Sequence, residues 1–256
     1  MPSSVLEALQ RAGRSRDVPC LALVGGVVRD QLLHQRCGRS WSGVPDLDWV
    51  VEGDAAALVA ELVVQVGSER ISGVQEHGAF GTVAFQLDGI PLDLATARQE
   101  HYPAPAENPI VRAGTLEADL ARRDFTINAM ALSRDGLLID PYGGQDDLND
   151  RVLRHVSPAF SEDPLRILRC VRFLAQLSAY RFKISAETVN LITSMSPSLL
   201  ELSVERIIVE LDKTLSFANP AAGLAKLPFL KITETLIPAL EVVPDRFTCQ
   251  SVDARL

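Results

Sequence analysis

Aromatic residues are scarce in this chain, at 5% of 256 residues, so its core must be assembled mainly from Leu, Val, Ile and Ala. The four cysteines, Cys20, Cys37, Cys170 and Cys249, are scattered, with no CxxC pair and no ligand-like cluster. That spacing argues for reduced thiols of a cytoplasmic protein and against a disulfide framework or a zinc site. No long apolar run follows the basic residues near the N-terminus, so no signal peptide is expected. An uninterrupted apolar stretch of about eighteen residues is lacking as well, so no membrane span is predicted. The GxGxxG and GxxxxGK[ST] patterns are missing, which disfavours a dinucleotide-binding fold and a P-loop.

What is present is ordinary globular material, 47% hydrophobic and 23% charged, enough for one large domain or two modest ones. The formal net charge of -8 argues against a nonspecific nucleic-acid coat. The arginines are clustered, however, which leaves room for a local basic groove.

The apolar run Leu21–Val24 stops at Gly25-Gly26, and the residues after it shift to helical spacing, with Val28 and Leu32 one turn apart. This reads as strand, tight turn and helix, with the first helical N–H groups open to an anion. Next, Asp46, Asp48 and Val50 alternate with Leu47, Trp49 and Val51, which is strand periodicity and puts both carboxylates on one face. A solvated strand face is the competing reading. Further on, Val83–Leu87, the Asp88-Gly89 turn and Ile90–Ala95 form a predicted hairpin. Its return strand places Asp93 opposite in facing to Leu92 and Leu94. Acids on two strands are of the type that hold hard cations for phosphoryl or nucleotidyl transfer.

Residues 98–112, rich in proline and charge, read as a loop, and His101 within it as a surface residue. In the stretch 119–144, Arg122-Arg123-Asp124 end a short helix, and Ile127–Leu132 and a segment ending near Asp140 read as strands. The arginine pair suits either a solvated cluster or a triphosphate gripped by bidentate forks. Asn128 suits either a ribose contact or a backbone tie.

From Asp163 onward the pattern is helical. Ser161 is the expected N-cap of a helix with Pro164 in its first turn and Ile167, Leu168, Val171 and Leu174 as its apolar stripe. Arg166, Arg169 and Arg172 recur every three residues. Asp163 with Arg166 reads either as a helix-stabilising ion pair or as a donor–acceptor set for a nucleobase edge. Helices are also expected after Ser185 and Ser203, with Arg206 and Glu210 in position to pair across one turn.

Five ordered segments carry a resemblance: LVGGVVRDQLLH with PDLDWVVEG, ADLARRDFTINAMAL, DPYGGQDDL, SEDPLRILRCVRF and SVERIIVEL. Together they resemble the class II tRNA nucleotidyltransferases (CCA-adding enzymes) and the related bacterial poly(A) polymerases. The resemblance implies an α+β head of the polymerase beta-like nucleotidyltransferase type over residues 1–150. An all-helical neck over 151–256 would follow, binding nucleobase and RNA, with body and tail domains absent or truncated.

It implies Asp46, Asp48 and Asp93 as ligands of two Mg²⁺ ions, the third position being often Glu in relatives. Gly25, Gly26, Arg29, Arg122, Arg123 and Asn128 fall on the nucleotide side of the head. Asp163 and Arg166 become the base readers, with Arg169 and Arg172 on the same helix, while Glu205 and Arg206 support the neck. The implied substrates are ATP and CTP, and the implied partner is the 3′ end of tRNA or another RNA. Poly(A) synthesis, CC-only or A-only addition, and an inactive nucleotide-binding homologue are the alternatives. QRCGRSWSG, between Asp30 and Asp46, is longer than the pattern requires.

Overall fold

The computed structural model describes residues 3–37, 47–78, 81–101, 103 and 109–238, which fall into two compact units. The first contains the described residues up to Asp150 together with Arg154–Phe160; the second contains Arg151–Leu153 and the described residues from Ser161 onward. Asp46 and most of the QRCGRSWSG insertion lie outside the described residues.

The first unit is α+β. Its strands are β1 (Leu21–Val24), β2 (Leu47–Val51), β3 (Ile71–His77), β4 (Thr82–Leu87), β5 (Ile90–Thr96), β6 (Arg98–His101), β7 (Ile110–Ala113), β8 (Ala131–Ser133) and β9 (Leu138–Ile139). Its helices are α1 (Ser3–Ser15), α2 (Gly26–Cys37), α3 (Ala55–Val66), α4 (Leu116–Ala121) and α5 (Gly144–Asp150). Seven strands make one mixed sheet in the order β3-β4-β5-β2-β1-β8-β9. In it β2 and β5 run parallel, and the other described neighbours are antiparallel.

Helix α1 buries Val5, Ala8, Leu9 and Ala12, and α3 buries Ala55, Leu58, Val59, Leu62 and Val66. Both show the i, i+3, i+4, i+7 spacing of a helix with one apolar stripe, and the two helices pack together. Asp54 caps α3, its carboxylate accepting the N–H groups of Ala56 and Ala57 at 2.9 and 3.2 Å. A second core of small residues, Ala22, Val24, Val50, Ala129 and Ala131, is closed over by Leu116 and Leu120 of α4. Glu52, just past β2, accepts the Leu116 N–H at 2.6 Å and so ties the start of α4 to the end of that strand.

Two sequence expectations for this unit need correction. Residues 98–112 are not a loop throughout, because β6 and β7 pair antiparallel from Arg98↔Ala113 to His101↔Ile110. The strand expected over Ile127–Leu132 starts later, since Thr126–Asn128 forms a 3₁₀ turn and β8 begins at Ala131. The Asn128 amide bonds two other side chains in that turn, and the side-chain bonds outweigh the local strand pattern.

The second unit is built from α6 (Leu165–Gln176), α7 (Ala186–Met195), α8 (Val204–Leu215), α9 (Ala221–Leu224) and α10 (Ile232–Leu236). A short parallel pair, β10 (Val152–Leu153) with β11 (Lys183–Ile184), accompanies the helices. The Ser185 and Ser203 hydroxyls cap α7 and α8, accepting from the N–H groups of Thr188 and Arg206. Ser161 does not cap α6. It lies in a 3₁₀ turn over Pro158–Glu162, and Pro164 is the N-cap of α6, its ring holding φ at -58°. The Asp163 carboxylate accepts the Leu165 N–H at 3.2 Å there.

Candidate active site

The site in the first unit is fixed by strand register. Asp48 on β2 and Asp93 on β5 are direct Cα partners in a parallel ladder, so their side chains leave the same face of adjacent strands about 4.8 Å apart. Asp93 alternates with buried Leu92 and Leu94 and is exposed; Asp48 is half-buried between buried Leu47 and Trp49. Two carboxylates side by side form a hard oxygen donor set on the solvent side of a rigid sheet, which suits a divalent cation such as Mg²⁺. Among the described residues no group of three or more His, Cys, Asp or Glu side chains is poised to hold a metal, and the third expected acid, Asp46, is outside them.

The Gly25-Gly26 turn abuts this pair. Gly25 has φ +76°, and a Cβ there would stand 3.2 Å from Arg123 Nη1 and 3.6 Å from Asp48 Oδ2. A side chain at 25 would thus be strained and would sit between a guanidinium and a carboxylate. Gly26 opens α2, whose N-terminal N–H groups offer an anion-binding end. Glycine turn, Asp48 and Arg123 therefore converge.

Arg122 and Arg123 follow α4, and both grip one buried acid. Asp119, fully buried, accepts from Arg122 Nη2 at 2.5 Å on Oδ1 and from Arg123 Nη2 at 2.9 Å on Oδ2. Arg122 Nη1 also reaches Glu100 Oε1 at 2.9 Å, an oxygen that Arg98 Nη2 shares at 2.9 Å. Burial pushes the Asp119 carboxyl up, but Arg123 and Arg122 more than reverse this and hold it below the usual carboxylate range. Asp119 and Glu100 were not singled out in the sequence, although Asp119 stands three and four residues before the two arginines, a spacing that marks a helical ion pair.

Arg29 and Asn128 take a different place. Arg29 is buried, and its side chain is engaged by Asp30 at 2.7 and 3.0 Å and by Asn128 Oδ1 at 2.8 Å. Asn128 Nδ2 donates to Asp124 at 3.1 Å. The chain Asp30–Arg29–Asn128–Asp124 ties the first turn of α2 to the turn after Arg123.

In the second unit, α6 buries its stripe of Ile167, Leu168, Val171 and Leu174 as expected, and Arg166 is buried as well, at 6%. Asp163 Oδ1 accepts from Arg206 Nη2 at 3.0 Å. Arg172 Nε donates to Glu210 Oε2 at 2.7 Å, while Arg169 and Arg172 lie 5.7 and 4.5 Å from the Phe173 ring centre. The anticipated Arg206–Glu210 pair is thus replaced by two links from α8 to the α6 region. Helix α8 buries Glu210 and leaves Val204, Ile208 and Val209 exposed.

Residues 21–154 match the model of the Poly A polymerase head domain, and the chain belongs to that family. Residues 181–243 match a second model, described as the probable RNA and SrmB-binding site of polymerase A. The chain is 41% identical over 235 residues to the Multifunctional CCA protein of Haemophilus influenzae (strain PittGG), covering 87% of this chain and 51% of that one. It is 45% identical over 177 residues to the A-adding tRNA nucleotidyltransferase of Aquifex aeolicus (strain VF5), covering 66% of this chain and 20% of that one. The solved apo form II of a CCA-adding enzyme superposes with a TM-score of 0.80 at 32% identity, over 93% of this chain and 55% of that structure. The chain spans about half the length of the Haemophilus relative. The fold is accordingly the α+β head of the polymerase beta-like nucleotidyltransferase type, followed by a helical region.

Proposed function

We propose that the chain is the catalytic portion of a template-independent RNA nucleotidyltransferase that adds CMP and AMP from CTP and ATP to the 3′ end of tRNA. The observation that carries this reading is the in-register Asp48–Asp93 pair beside a glycine turn and Arg123. The first unit is the catalytic head, and the second the helical neck that binds nucleobase and RNA. The primer 3′-oxygen attacks the α-phosphorus in line, a new P–O bond forms, and the bond to the bridging oxygen breaks to release pyrophosphate.

Asp46, Asp48 and Asp93 would hold Mg²⁺, two ions in all, which when bound supplies acidity to the 3′-hydroxyl and charge neutralisation to the triphosphate. Gly25 and Gly26 let the phosphates approach the backbone, and the α2 N-terminus and Arg123, seconded by Arg122, bind them. Arg29 and Asn128 brace that turn from within. Asp163 and Arg166 select the base by its hydrogen-bonding edge, Arg206 steadies Asp163, and Arg169 and Arg172 complete the cationic face of α6. The similarity to a Multifunctional CCA protein and to an A-adding tRNA nucleotidyltransferase supports this choice of substrates.

The test is nucleotide incorporation by this chain on tRNA transcripts ending at the discriminator base, at C and at CC, each with CTP or ATP and Mg²⁺. Stepwise addition of CCA is the expected result. Addition of A alone, of CC alone or of long A tails would narrow the activity to an A-adding, CC-adding or poly(A)-synthesising enzyme. Absence of transfer and of nucleotide binding by the folded chain would sink the reading.

A further inference from the structure

Asp119 is the most deeply buried charged side chain of the first unit, at 0% exposure, and the proposed reaction does not call on it. It sits in α4 between Leu116 and Leu120, which anchor the helix in the small-residue core beneath Val24 and Val50. Val50 is two residues beyond Asp48 on the same strand face. The core that seats α4 is therefore continuous with the floor of the site.

Its two oxygens are divided between two arginines. Oδ1 accepts from Arg122 Nε at 3.1 Å and Nη2 at 2.5 Å; Oδ2 accepts from Arg123 Nη2 at 2.9 Å and Nε at 3.3 Å. Each guanidinium is thus engaged along one edge. For Arg123 the remaining nitrogen, Nη1, is the one that lies against Gly25, at the point that Asp48 Oδ2 also approaches. Arg122 is tied a second time through Glu100 on β6, which Arg98 also holds. Adjacent arginines repel, and a long free side chain would lose rotamer entropy on gripping a phosphate. A buried carboxylate beneath both cancels the repulsion and settles the rotamer before any ligand arrives.

We propose that Asp119 is a positioning residue for the nucleotide's triphosphate, acting through Arg123, with Glu100 as a second tie that links the β6–β7 pair to the same arginines. This rests on the nucleotidyltransferase reading and adds to it a residue that touches neither nucleotide nor metal. Because its partners keep Asp119 ionised, the grip persists throughout the neutral range.

The test isolates the triphosphate by using inorganic tripolyphosphate with Mg²⁺ as the probe, titrated calorimetrically into the full chain. Wild type is compared with R123Q, D119N, the double variant and E100Q, with circular dichroism checking the fold of each. R123Q and D119N should each weaken binding about tenfold, and the double variant should bind no worse than R123Q within about twofold, because one acts through the other. E100Q, a shallower tie, should weaken binding about two- to threefold. D119E should restore part of the loss, which a purely structural role for a buried helix residue does not predict.

Wild-type affinity in D119N, or a loss that multiplies with that of R123Q, overturns the proposal. If D119N fails to fold, E100Q decides: unchanged affinity overturns the proposal. Binding by wild type that R123Q weakens and D119N does not would defeat the inference alone. No binding by wild type would defeat the nucleotidyltransferase reading and this inference with it.

Discussion

One place in each unit sets charges side by side, and the two places do it by opposite rules. On the sheet of the first, Asp48 and Asp93 stand side by side with the same sign; between α6 and α8 of the second, Arg172 meets Glu210 and the nearby Asp163 meets Arg206. Like charges on neighbouring strands repel, and a bound divalent cation would offset that repulsion. Opposite charges matched between helical segments hold one another in place.

The largest expected effect breaks the first half of this comparison. D48N should reduce nucleotide incorporation at least about a thousandfold, with the fold retained by circular dichroism. A well-folded D48N that still transfers nucleotide would refute the metal assignment. The next tests the brace. R172M leaves Glu210, 3% exposed, without its guanidinium and should cost about 3–5 kcal/mol in urea denaturation. The double variant R172M/E210M should recover most of that loss, and failure to recover would show that the pair is not the brace.

G144A should cost about 1–3 kcal/mol, because a Cβ there would stand 2.3 Å from the Thr126 carbonyl oxygen; thermal unfolding checks it. R206A should cost only about 0–1 kcal/mol, since its side chain is 38% exposed. Its effect should appear instead in the ratio of CTP to ATP incorporation, because Asp163 loses the partner that steadies it. Last is a change of slope. The folded-state pKa of Asp119 is depressed, so the stability it contributes is present above the ordinary carboxylate pKa of about 4 and is lost as pH falls through its lower folded value. A Tm series from neutral pH to about pH 3 should therefore fall less steeply in D119N than in wild type.

What the sequence made legible is what is decided locally. The strand–glycine–helix unit, the Asp88-Gly89 hairpin, and the Ser185 and Ser203 caps each depend on residues a few positions apart, and each is found where it was expected. The facing of Asp93 was legible too, through alternation with Leu92 and Leu94. Its exact neighbour was not, because the β2–β5 pairing joins strands that are distant in sequence. The same holds for Arg206 with Asp163, 43 residues apart, and Arg172 with Glu210, 38 apart. Local spacing favoured Arg206 with Glu210, and tertiary packing overrode it. Arg29, expected on the nucleotide side of the head, is buried and bonded to Asp30 and to Asn128, 99 residues away, a contact that local spacing does not reveal.

The parallel pairing of Asp48 with Asp93 has one more consequence. Side chains on a strand change face with every residue, so a slip of β5 by a single position would turn Asp93 into the core and bring Leu92 or Leu94 to the surface. The hairpin that joins β4 to β5 through Asp88 and Gly89 helps to forbid that slip, because β4 holds β5 along its whole length from Ile90 to Ala95. This two-residue turn, remote from any substrate, works as the ruler of the site. Lengthening it by one residue would leave every acid in the sequence and remove the pair from the molecule.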